Sequence, residues 1–267
     1  MGCRARARLS GEVAWGRLSK ATSTRVSRVV PIALFFREDL DWLVGLRETD
    51  EGKEEALSRN ARHVRSVLDH RGASFLSEIV RYSERTVDEV ETALRELVAH
   101  GDVTADGFDA LRSHMTRERH RASRGRWSLL ARDPKVVENA IERFARQLLA
   151  RWGVVFRDLL AKESLAPPWR DLLLAYRRLE ARGEIRGGRF VSGYLGEQFA
   201  LPEAVELLRA LRREERSGET LEVSAADPVN LTGFVLPGER LATLSSQTLR
   251  LVEGVPAEEP DSVLSTL

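Results

Sequence analysis

The chain has 267 residues, 42% hydrophobic and 31% charged, with 42 Lys and Arg against 41 Asp and Glu for a net charge of +1. That is enough apolar material for two or three small cores, and the signs are too balanced for composition to name a partner. A single cysteine, Cys3, excludes a disulfide framework and a zinc-ribbon spacing; no run approaches the roughly 18 apolar residues that span a bilayer, and the basic start MGCRARARLSGEV lacks a signal-peptide core.

These exclusions lead to the expectation of a soluble, cytoplasmic chain with no membrane partner. The basic residues are almost all Arg, with Lys20, Lys53, Lys135 and Lys162 the lysines. GC-rich coding is the leading account of such usage, and phosphate recognition by the forked guanidinium is a second that is compatible with it.

Residues 1–56 read as a partial β-rich module and hinge. Gly11 to Trp15 is a short strand, and Val29 to Phe36 is an apolar run of strand length. The polar stretch from Gly45 to Glu55 forms the hinge. From Leu57 the period becomes helical: Leu57, Ala61, Val64 and Leu68 share a face that Gly72 ends. Phe75, Leu76, Ile79 and Val80 suggest a short second helix. Thr86 and Glu89 have the spacing of a capping box, with Val87, Val90, Leu94, Leu97 and Val98 as the apolar face behind them and Gly101 as the stop. Asp102 to Phe108 then reads as strand and turn. Three helices and a β-turn segment over 57–116 have the order of a winged helix, followed by a basic connector over 117–135.

The order repeats over 136–201. Val137, Ile141, Phe144 and Leu148 form a stripe ended by Gly153, and Phe156, Leu159 and Leu160 make a second short helix. Trp169, Leu172, Tyr176 and Leu179 line a third helix that stops at Gly183. Glu184 to Val191 reads as two strands about the Gly187-Gly188 turn, and Gln198 to Leu201 as a further strand. Over 202–267, Pro202 begins a helix whose apolar face includes Leu208 and Leu211, and Leu221 to Ser224 starts a strand-and-loop tail. The fold class is α+β, mainly helical: tandem winged-helix domains with flanking β-rich segments.

In a winged helix the third helix faces a groove and the wing faces the backbone. The third helix of the first copy exposes Asp88, Glu89, Glu91, Arg95 and Glu96, a face that repels phosphate; the first copy therefore reads as a packing or protein-contact module. The second copy offers Arg170, Arg177, Arg178 and Arg182 on the helix and Arg186 and Arg189 about the glycine pair. A basic strap, Arg117, Arg119, Arg121, Arg124 and Arg126, is a third candidate contact that needs no fixed geometry. Trp127 and Trp169 fall where each copy needs packing.

The five histidines show no metal-ligand spacing, so no metal is expected. Cleavage of a glycosidic bond needs a carboxylate and a pocket for a flipped base. Asp227, in Ser224-Ala225-Ala226-Asp227-Pro228, is the best carboxylate candidate, and an Asx turn before proline is its structural alternative.

The succession GEVAWGRL, PIALFFREDLDWLV, RGASFLSEIV, RGRWSLL, ARQLLARWGVVFRDLLAKE, PPWRDLLLAYRRLEARGEIRGGRFVSGYLGEQFALPEAVELLR and SAADPVNLTGFVLPGER resembles the C-terminal region of the large helicase-related proteins, Lhr, from about Gly11 to Gly254. The resemblance implies a superfamily 2 DNA helicase family tied to DNA repair. It also implies a C-terminal region built like the AlkZ/YcaQ DNA glycosylases, some members being linked to removal of damaged bases. The chain has no G-x-x-x-x-G-K-[ST], since Gly52-Lys53 lacks both the glycine spacing and the following hydroxyl residue, and no acidic helicase box. Nor does it carry the AlkZ-type glutamine pair.

The leading expectation is a DNA-binding accessory region of an Lhr-type ATP-dependent helicase, without the ATPase motor and without a cofactor of its own; ATP and Mg would belong to the absent core. Its expected partners are single-stranded or tailed DNA, an Lhr helicase core in cis or trans, and a second copy of itself. The alternatives are a base-excising DNA glycosylase and a protein-interaction or oligomerisation module.

Overall fold

A computed structural model describes residues 13–18, 32–46, 57–107, 125–131, 137–163, 165–215, 217–227, 230–235 and 247–257. The connector arginines Arg117, Arg119, Arg121 and Arg124 lie outside them, as do Cys3, Val29 to Pro31, Gly52-Lys53, Phe108 and Pro228. The chain divides into two compact units, residues 1–199 and 200–267.

The larger unit opens with a hairpin, β1 (Val13–Gly16) against β2 (Ala33–Phe36), and a short helix α1 (Leu40–Gly45). Next come α2 (Arg59–Arg71), β3 (Ser74–Phe75), α3 (Leu76–Ser83), α4 (Val87–His100), β4 (Val103–Ala105) and β5 (Arg126–Leu129), with the sheet ordered β3-β5-β4. The same order of elements recurs in α5 (Ala140–Trp152), β6 (Val154–Val155), a 3-10 helix (Arg157–Lys162), α6 (Trp169–Ala181), β7 (Arg186–Gly188) and β8 (Gln198–Ala200), in a sheet ordered β6-β8-β7. In both sheets the last strand lies between the other two.

Local chemistry explains the boundaries in the first set. Ser58 caps α2 by accepting the Ala61 N–H at 3.2 Å, and its own hydroxyl donates to Glu96 Oε2 at 2.6 Å. Thr86 and Glu89 form the expected reciprocal cap: the Glu89 N–H donates to Thr86 Oγ1, and the Thr86 N–H donates to Glu89 Oε2 at 2.9 Å. The Thr86 N–H, and then the Thr86 hydroxyl, which also donates to Glu89 Oε2, hold the Glu89 carboxyl below its usual range. Gly101 takes the left-handed conformation, φ 76°, that ends α4. Ala61, Val64, Leu68, Ile79, Val90, Leu94 and Leu97 are all buried, as their helical spacing demands. Val87 differs from expectation, because at the first turn of α4 it faces solvent.

Two strands depart from the linear reading. Arg126–Leu129, expected within the connector, is β5 and pairs with both β3 and β4. Alternation puts Arg126 outside and buries Trp127. Likewise β1 does not stand apart in a separate N-terminal module. Trp15 packs edge-on against Trp127, with ring centroids 6.3 Å apart, inside the core of the α2–β5 set. The Thr104 hydroxyl donates to the Trp15 carbonyl at 2.6 Å, and buried Arg17 donates to the Ala99 carbonyl. The second element after the hairpin, α1, turns the other way: Trp42 meets Phe144 of α5 edge-on at 6.5 Å. The N-terminal segment thus packs on both sets.

The second core gathers Phe144, Leu148, Val155, Phe156, Leu172, Tyr176, Leu179 and Phe199. Tyr176 stacks on Phe199 at 5.0 Å, and its hydroxyl, which burial pushes well above its ordinary pKa, donates to the Ala145 carbonyl.

The smaller unit begins with α7 (Pro202–Arg213), which starts at its proline as expected. Leu208 and Leu211, expected on its buried face, are exposed with Leu207; Val205 is the buried residue of this helix. A sheet follows, ordered β11-β10-β9, from β9 (Thr220–Ser224), β10 (Thr248–Val252) and β11 (Val255–Pro256). Glu253 and Gly254, both at positive φ, make the tight turn between the last two.

Candidate nucleic-acid interface

The exposed face of α6 carries Arg170, Leu174, Arg177 and Arg178, while Leu172, Ala175, Tyr176 and Leu179 point into the core. At 100° per residue, Leu174 and Arg177 fall within about 40° of Arg170, and Arg178 about 80° away. Beside this helix, β7 presents Arg186, Gly187 and Gly188, all exposed, followed by exposed Arg189.

The sequence candidates separate into two kinds here. Arg170, Arg178, Arg186 and Arg189 form no ion pair among the described residues. Arg182 is committed elsewhere: it reaches Glu142 of α5 at 2.6 Å and Glu184 at 2.7 Å, and Arg146 closes the ring with the same two carboxylates. Burial pushes the Glu142 carboxyl up, but hydrogen bonds from Arg182 and Arg146 outweigh it and hold the pKa below the usual range. Arg146 and then Arg182 do the same to Glu184. This four-member network staples the C-terminus of α6 to α5. Arg177 bonds Glu197 at 2.9 Å and so ties α6 to the wing. Arg126, the described member of the basic strap, is in β5 and pairs with Asp106 at 2.9 Å.

The Gly187-Gly188 pair is not the hairpin turn that its sequence suggests, because both residues lie in β7. The Glu180 carboxylate occupies the space where a Cβ of residue 187 would sit, and Glu180 Oε1 accepts the Gly187 N–H at 3.1 Å. Phe190 similarly covers Gly188. The pair is there for close approach of side chain to backbone. The polypeptide reverses later, through residues 189–197, and returns as β8, the strand expected from Gln198 onward. A depression of about 490 Å³ runs between the two sides, lined by Glu180, Gly187, Arg189, Glu197 and Gln198 among others.

Gln198 organises that loop. Its side chain is fully buried, yet Oε1 accepts the N–H groups of Phe190 and Val191 at 2.8 Å each and Nε2 donates to the Val191 carbonyl at 2.8 Å and toward that of Tyr194. A buried amide satisfied in this way is a rigid connector.

In the first set, the acidic third-helix face proves partly structural. Glu96 holds the Ser58 cap, Glu89 caps its own helix, and Glu91 pairs with Arg95. Asp88 remains exposed. Elsewhere in this set, the Arg71 guanidinium lies 3.1 Å from the centroid of the half-exposed Tyr82 ring.

Asp227 lies in the smaller unit, in the turn after β9. Its N–H donates to the Ser224 carbonyl at 2.9 Å, and its carbonyl accepts the Asn230 N–H. Trp169 is half-buried at 6.1 Å from Tyr176. Among the described residues no group of three or more His, Cys, Asp or Glu is placed to hold a metal ion, and no helix is long and apolar enough to cross a membrane.

Sequence reasoning passed over Leu174 and Leu195, two exposed apolar residues at the candidate face and on the wing. Leu174 lies off the buried stripe of α6, which is the signal that distinguishes it.

Comparison with known proteins adds two findings. Residues 134–220, which take in the α5–β8 set, match the family model of the large helicase-related protein, winged-helix domain. A curated relative, the Lhr helicase/uracil glycosylase of Escherichia coli (strain K12), is 28% identical over 71% of this chain. The match takes in 15% of that protein's length.

Proposed function

We propose that the chain is a DNA-binding accessory region of the Lhr family, acting beside a helicase motor that it does not itself contain. The observation that carries this reading is the set of Arg170, Arg178, Arg186 and Arg189, exposed and, among the described residues, free of ion pairs on the third helix and wing of a matched winged helix. A winged helix presents those two elements to nucleic acid, and guanidinium groups without an intramolecular partner are the ones able to displace counterions from phosphate. The repeated order of elements and the shared strand order favour a tandem arrangement, with the α2–β5 set as the first winged helix. In that arrangement the first winged helix serves packing, and the second serves the backbone of a tailed or single-stranded DNA. A role in DNA repair follows from the same kinship.

Binding of a tailed duplex oligonucleotide, titrated against salt, tests the reading. Replacing the four free arginines by Glu is expected to abolish most of the affinity and to flatten the slope of log K against log salt by about 0.9 per lost contact. Unchanged affinity and slope would remove the second winged helix as the binding face.

A second reading is base excision, since the curated relative carries uracil glycosylase in its name. Asp227 is then the carboxylate, held at a defined position by the turn after β9. Incubation with a uracil-containing single strand decides it: abasic product that disappears in Asp227→Asn supports the role, and no product from the intact chain ends it.

A further inference from the structure

The wing of the second module has one feature that backbone binding does not use. Leu195 is 83% exposed, the most exposed large apolar side chain among the described residues. A lone exposed leucine is ordinary on a protein surface. This one is distinguished by how the loop around it is built.

The loop is fastened on both sides of Leu195. On one side, the Tyr194 ring lies 4.2 Å from that of Phe156, which is buried. On the other, Glu197 is held to α6 by Arg177, and Gln198 is locked inside by its hydrogen bonds to residues 190, 191 and 194. Gly193 and Gly196 adopt φ of +87° and +91°, which lets the backbone turn sharply on both sides of the Tyr194-Leu195 pair. The result is a loop tied at both ends and carrying a single unsupported apolar group, with Arg186 and Arg189 at its base on the side that leads out to the tip.

We infer that this wing is a wedge, and that Leu195 enters a base step of duplex DNA at a junction while Arg186 and Arg189 hold the flanking phosphates. The inference rests on the reading that the second winged helix binds DNA. Apolar side chains that part base steps must meet a stacked pair without folding back onto the protein, and the ties at residues 190, 191, 194, 197 and 198 limit that retreat for Leu195. Gln198 is a positioning residue in this scheme. Its amide sets the loop and does not touch the nucleic acid. Glu197, the one carboxylate beside the tip, is already neutralised by Arg177 and does not oppose the approach of phosphate.

The test uses the full chain and a forked duplex with 2-aminopurine placed at successive positions across the junction, a base whose fluorescence rises when it is unstacked. The intact protein at saturation is expected to raise the signal several-fold at one position. Leu195→Ser should lose most of that rise, with affinity within about threefold because the arginine contacts remain. Leu195→Phe, which keeps an apolar wedge, should retain the rise. Binding with no rise at any position, or a full rise in Leu195→Ser, overturns the wedge and leaves the DNA reading standing. Absence of binding by the intact chain overturns both.

Discussion

Glu180 and Gly187 meet where any Cβ at position 187 would displace the carboxylate from its present place. The carboxylate of the helix residue fills the space of the missing Cβ and accepts the strand's N–H at 3.1 Å. Gly187→Ala must push the carboxylate away and forfeit that bond, at a cost of about 0.5–1.5 kcal/mol. If the conflict is the cause, most of the loss vanishes in the Glu180→Ala background, which a double-mutant cycle from urea unfolding will show. Additive losses would place the glycine's role elsewhere.

The paired and free arginines should behave differently in one experiment. Arg182→Ala breaks the ring with Glu142, Glu184 and Arg146 and should lower the unfolding midpoint while leaving the salt slope of DNA binding nearly intact. Arg178→Ala, on the same helix but without an ion pair, should do the reverse, reducing the slope by about one contact's worth, near 0.9 for duplex. Equal salt slopes for the two variants would dissolve the distinction.

The same ring sets a pH dependence. Folding holds the Glu142 and Glu184 carboxyls below their reference value of 4.5, so the unfolded chain takes up protons first on acidification. The stabilisation is therefore complete above about pH 4.5 and is lost as pH falls through the lower folded values. Unfolding midpoints between about pH 6 and pH 3 should drop steeply in the intact protein and less steeply in Glu142→Gln. Parallel curves would remove the ring as the source.

Trp127 is almost fully buried against Trp15 and closes the first core. Trp127→Ala should cost about 3–5 kcal/mol, as for other buried large aromatics. Thr104→Val, which keeps the shape but removes the donor to the Trp15 carbonyl, should cost about 1–3 kcal/mol through the unsatisfied acceptor. Chemical denaturation monitored by tryptophan fluorescence reads both.

Much of this was legible beforehand because helices announce themselves locally. The stripes of α2, α4, α5 and α6, the Thr86 cap and the glycine stops are patterns within a dozen residues, and they formed as their spacing implied except at Val87, which faces solvent, and Val137, which precedes α5. What stayed hidden depends on partners far along the chain. Nothing near Trp15 marks it for a core built mostly from residues 57–129. Nor does the run around Arg126 advertise a central strand, since Trp127 alone of its four residues is buried and the run follows a basic stretch. For the site, the sequence supplied the right arginines but could not sort them. Arg182 and Glu142 are 40 residues apart, Arg177 and Glu197 are 20 apart, and ion pairing over such distances is decided by the fold. Gly187-Gly188 misled for a related reason, because a glycine pair looks the same whether the chain must bend or a side chain must come close.

The position of β1 has a consequence for how this protein can be divided and made. Trp15 and Arg17 leave the ribosome long before Trp127, and the first core cannot close until some 110 intervening residues have followed. The early strand must wait, with an indole and a guanidinium unhoused, for a pocket that later residues build. An excision beginning at residue 57, where the helical pattern starts, would look like a clean cut and would leave that pocket without its tryptophan.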